Sequence, residues 1–141
     1  MEEMEQRVWQ RVMNPAENVL SEAKTLIPES QALASGFGML AKNSREDRKA
    51  LLKELYREEQ GILHTLRGIC RLQGQPVSLR FPTALREPEG RILEKSYYKC
   101  LHLRREYLAR SAAGEFAQAY GILADRAGEQ SARILRLLGM L

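Results

Sequence analysis

The chain has 141 residues, 44% hydrophobic and 28% charged, and a net charge of +4. That length suits one domain with one core, and the composition is ordinary for a globular protein. Acids and bases are mixed along every segment, which argues against a nucleic-acid surface. No window approaches the ~20 apolar residues of a membrane span. The opening MEEMEQRVW is acidic and lacks an apolar run, so no signal peptide is expected. Cys70 and Cys100 then read as reduced thiols of a cytoplasmic protein.

Residues 1–14 read as a separate amphipathic helix. Val8, Trp9, Val12 and Met13 share one side of it. That side either lies across the rest of the fold or forms the contact of a homodimer. Residues 15–141 read as one bundle of four helices. Asn14-Pro15 is a start signal, an N-cap followed by a first helical position. The first long helix is predicted from about Pro15 to Lys42. Val19, Ala23, Leu26, Leu33, Phe37 and Leu40 form its stripe, with Ser30 at the centre. Pro28 falls on the opposite face. It is expected to kink the helix outward, with a break into two helices as the alternative.

Ser44 and Asp47 have the spacing of a capping box. The helix that follows, Lys49–Arg71, carries the clearest pattern in the chain: Leu52, Leu55, Ile62, Leu66 and Ile69 on one face. Glu59 sits in the middle of that face, where a carboxylate costs several kcal/mol unless it is paired. Gln73-Gly74-Gln75-Pro76 stops the helix. Gln75–Glu87 is too long for a tight turn and suits a crossover running the length of the molecule. Pro88 opens a third helix, predicted to about Ala113 and ended by Gly114. Its stripe is Leu93, Tyr97, Leu101 and Leu108, with Arg104 inside it and Cys100 beside it. The fourth helix is predicted over Glu115–Leu138. Phe116, Tyr120, Leu123, Ala127, Ile134 and Leu138 face inward, Gln130 borders them, and Glu129, Arg133 and Arg136 face outward.

Two short-linked hairpins joined by one long crossover give an all-α fold that resembles the ferritin-like superfamily. Within it the chain is similar to the small bacterial rubrerythrin-type proteins, from about Ala16 onward. The stretch LLKELYREEQGILHTLRGI resembles that family's second helix. The resemblance implies a di-iron or di-manganese centre, with a Glu from each of two helices and Glu-x-x-His from each of the other two. This chain departs from that pattern. Ser30 stands at the first Glu position, and Glu29 points about 100° away. Glu59 matches, but Ile62 replaces the His. Cys100 and Arg104 occupy the third helix, and Ala127 and Gln130 the fourth. His64 and His102 are preceded three residues earlier by Gly61 and Lys99, so both read as surface or rim residues.

The former metal layer is therefore Ser30, Glu59, Ile62, Cys100, Arg104, Ala127 and Gln130, with no cofactor expected. Arg104 is expected to pair with Glu59 in place of the metal charge, with Ser30 and Gln130 as candidates for the remaining lone pairs. The alternative is that Arg104 reaches the surface and Glu59 is neutral or meets water. A thiolate at Cys100 would need exposure, so that thiol reads as a small buried hydrophobe. GxGxxG, P-loop, nucleophile-elbow, HExxH and CxxC patterns are absent. The function expected is that of a non-catalytic structural or interaction protein. The alternative is an iron- or manganese-dependent oxidoreductase drawing on Glu59 with Glu22, Glu106 or Cys100.

Overall fold

The computed structural model describes residues 22–78 and 87–141. The expected helix around Val8 and Trp9, the Asn14-Pro15 start and Val19 lie outside these residues. Among the described residues all regular structure is helical. A short 3-10 turn, Ala23–Thr25, leads into four α-helices: α1 (Ile27–Asn43), α2 (Glu46–Leu72), α3 (Glu89–Arg110) and α4 (Ala117–Gly139).

Each boundary has a local cause. Pro28 does not kink a helix from within; it lies in the first turn of α1, where its missing N–H removes no helical bond. The single helix expected from Pro15 to Lys42 is thus not continuous through Leu26, and residues 15–21, which would form its first part, lie outside the described residues. α2 begins with Glu46 and Asp47 and ends with Arg71, charges that complement the helix dipole. It stops at Gly74, whose φ of 74° is left-handed. There the Gln75 N–H donates to the Cys70 carbonyl and closes the helix end. The Ser44–Asp47 capping box does not form. Ser44 is the C-cap of α1, and the N-cap of α2 is Arg45, without a side-chain cap bond. α3 ends at Arg110, earlier than predicted, and Gly114 (φ 105°) carries the chain round to α4.

The helices pack around one core. α1 lies along α2, and α3 along α4; across the hairpins α1 meets α3 and α2 meets α4. All four contacts are antiparallel. Ser44 and Arg48 bond Glu89, whereas Thr25 bonds Arg110 at the other end. Glu54 of α2 pairs with Arg133 of α4, while Gly61 faces Arg126. The start of α3 thus lies beside the start of α2. Leu72 and Glu89 are at opposite ends of the fold, and residues 79–86 of the expected crossover lie outside the described residues.

Phe37, Leu52, Leu55, Ile62, Leu66, Leu93, Leu123 and Ile134 are fully buried. Leu138 and Phe116, predicted as core, are packed against it and partly buried. The register of α3 differs from the prediction. Its buried face is Ile92, Leu93, Ser96, Cys100, Leu103, Tyr107 and Arg110. Leu108 is 47% exposed, and Arg104 points to solvent. The helix is rotated by about one residue, ~100°. The inward face contains Ser96 and Arg110, two polar residues that masked its periodicity.

Candidate functional site

The centre of the fold holds a polar layer with one residue from each helix. Glu59 of α2 is 1% exposed. Ser30 Oγ of α1 donates to its Oε1 at 2.7 Å, and Gln130 Nε2 of α4 donates to its Oε2 at 2.8 Å. Cys100 of α3 completes the layer: its Sγ lies 3.9 Å from Gln130 Oε1 as a weak donor. The Gln130 amide is therefore oriented by two neighbours, its oxygen toward a thiol and its nitrogen toward a carboxyl group. The helical register explains the meeting. Each of the four side chains points inward: Glu59, Cys100 and Gln130 near the middle of their helices and Ser30 in the first turn of α1, in a core otherwise made of aliphatic and aromatic groups.

Arg104 takes no part. It is exposed on α3, with its Nε beside Gly128. The expected Glu59–Arg104 ion pair is thus replaced by two neutral donors. The cause is the rotated register, which turns Cys100 and Leu103 inward and Arg104 outward. Of the seven residues of the predicted layer, Ser30, Glu59, Ile62, Cys100, Ala127 and Gln130 are buried and Arg104 is not.

Electrostatics follow from this environment. Burial pushes the Glu59 carboxyl up to about 7 from an ordinary 4.5, against the opposing pull of the Ser30 and Gln130 hydrogen bonds; the negative charge of Glu58 adds to the rise. Burial likewise drives the Cys100 thiol far above its usual range, with Glu59 as the second cause. Cys70 is also buried and raised. Neither thiol is placed as a nucleophile. Tyr107, 1% exposed, stacks on Tyr120 at 6.5 Å between ring centroids. Its buried hydroxyl has no hydrogen-bond partner. Its pKa is raised first by burial and then by the charge of Glu59.

The remaining candidate ligands are elsewhere. Glu106 accepts from Arg110 at 2.7 Å, and Glu22 accepts from Gln75. His64 is exposed, and His102 lies at the rim, 3.5 Å from Glu29. Among the described residues no three His, Cys, Asp or Glu side chains converge. Around Glu59 the donors are a hydroxyl, an amide and a thiol, and both carboxyl oxygens already accept hydrogen bonds. That set does not fit a pair of divalent ions, which need several carboxylates and imidazoles.

Two further polar ties escaped the sequence reading. At one end Arg48 bonds both oxygens of Glu89, at 3.1 and 3.0 Å, and Ser44 adds a bond of 2.6 Å. At the other end the buried Arg110 meets Glu106 and Thr25 and lies over the Tyr120 ring. The Ser44, Arg48 and Thr25 bonds link residues distant in sequence, so spacing carries no signal for them; the Glu106–Arg110 pair is the part at helical spacing. No helix among the described residues is long and apolar enough to cross a membrane. Comparison with protein-family models, curated proteins and solved structures finds no match to this chain.

Proposed function

We propose that this chain is a ferritin-like bundle of the rubrerythrin type whose central layer has become a structural hydrogen-bond network. In this reading it acts through its surface as a non-catalytic cytoplasmic interaction protein, and the segment around Val8 and Trp9 joins two copies. Two features of the helices support the fold assignment: every neighbouring pair is antiparallel, and the end of α2 and the start of α3 lie at opposite ends of the bundle. One observation carries the functional reading. The carboxyl of Glu59, the position that matches a family ligand, is held by Ser30 and Gln130.

The experiment is elemental analysis of protein produced with iron or manganese supplied, alongside Glu59→Ala. The expected result is no stoichiometric metal in either protein and a loss of stability in the variant. Stoichiometric metal that disappears in Glu59→Ala would overturn the proposal in favour of an oxidoreductase.

A further inference from the structure

Between the polar ties at their two ends, the two hairpins, α1 with α2 and α3 with α4, also meet inside the fold through a direct polar contact, Gln130 Nε2 to Glu59 Oε2. The groups bonded to Glu59 are Ser30 from α1 and Gln130 from α4; Cys100 of α3 meets Gln130, and the Cys100 thiol and Tyr107 phenol of α3 both feel the Glu59 charge. All are uncharged. The charged neighbour acting on Glu59 is another acid, Glu58 of its own helix, itself bonded to Arg133. No cation among the described residues neutralises an ionised Glu59.

The same geometry serves both protonation states. Ionised, the carboxylate accepts from Ser30 and Gln130. Protonated, one oxygen donates to the Ser30 hydroxyl, which can accept, while the other still accepts from Gln130. Protonation therefore removes the buried charge while the Gln130 bond across the hairpins persists.

We propose that Glu59 is a proton-operated latch between the two hairpins, holding them tightly when protonated and weakening their seam when ionised. The latch rests on the reading of the layer as a hydrogen-bond network and adds a regulation to it. The direction is set by burial. The folded carboxyl titrates at about 7 against an ordinary 4.5, so the folded state binds the proton more strongly. Its stabilisation is complete below 4.5 and is lost as the pH rises through about 7.

The test is the folding constant from urea unfolding across this range for the full chain and for Glu59→Gln. Gln keeps the shape without the proton. A turn of the Gln130 amide lets its oxygen accept from the new amide nitrogen, and its own nitrogen then faces Cys100. The expected result is that the unaltered protein loses up to about tenfold in folding constant per pH unit, relative to the variant, and levels off near neutrality. Parallel profiles would overturn the latch. A carbon-13 titration of the Glu59 carboxyl in the unaltered protein keeps the test open if the variant fails to fold: a midpoint near neutrality supports the latch, and one at or below 4.5 overturns it. Repeating the profile with a chelator separates the two readings. A pH response abolished by metal removal overturns the network itself, whereas parallel profiles insensitive to chelator overturn the latch alone.

Discussion

Replacing Glu59 by Ala exposes the energetics of the central layer most fully. The change leaves Ser30 Oγ and Gln130 Nε2 without their acceptor, at about 1–3 kcal/mol for each buried group. The lost methylene and the space it vacates add about 1 kcal/mol. An opposing effect is the relief of a buried charge. A carboxyl raised from 4.5 to about 7 carries a penalty on the order of 3 kcal/mol once fully ionised. Together these give a cost of roughly 4 kcal/mol at pH 5, falling to roughly 1 kcal/mol at pH 8. Urea unfolding at the two pH values, with unchanged denaturant slope, reads both numbers. The reasoning is refuted if the cost is the same at both, or if it is negligible at pH 5. A stranded Arg104 would instead make the loss large at every pH.

The other predictions probe the register, the thiols and the ends of the fold. Arg104→Ala changes stability by less than about 0.5 kcal/mol in thermal unfolding, because Arg104 is a solvent-facing residue; a loss above about 2 kcal/mol would restore it to the core. Cys70 and Cys100 are buried, so a thiol reagent labels neither in the folded protein and labels both after unfolding; rapid labelling of either contradicts its placement. Gly68→Ala adds about 0.5–1 kcal/mol, since an added methyl meets nothing within 4 Å. Gly38→Ala does not show that gain, because its methyl would lie 2.9 Å from the Tyr56 ring. Burial alone would raise the Glu89 carboxyl, but the bonds from Arg48 and Ser44 outweigh it and hold the pKa below 4.5. Glu89 thus contributes stability that is present above 4.5 and lost as the pH falls through its lower folded value; Arg48→Ala should abolish that acid-side loss.

How much was legible depended on how apolar each inward face is. α2 is legible because Leu52, Leu55, Ile62, Leu66 and Ile69 repeat at helical spacing, and Glu59 stands out against them. α3 is ambiguous in the sequence because two faces compete. Tyr97, Leu101 and Leu108 suggest one, while the buried face mixes Ile92, Leu93, Leu103 and Tyr107 with Ser96 and Arg110. Arg110 is tolerated inside because Glu106, Thr25 and Tyr120 surround it, and of these Glu106 alone stands at the helical spacing that a sequence reveals. Ser30 and Gln130 were visible as inward polar residues, and so were nameable as partners for Glu59. The identity of the missing cation partner was not. It turned on a rotation of about 100° in one helix. The break at Pro28 was open in the sequence because an outward-facing proline satisfies a kink and a first turn equally well.

The central claim is that Glu59 and Gln130 hold each other across the hairpins. A double-mutant cycle of Glu59→Ala and Gln130→Ala, followed by urea unfolding at pH 5, measures that contact directly. The account predicts a coupling of about 1–3 kcal/mol between the two sites. Additive losses, with no coupling beyond the error of the cycle, would contradict it.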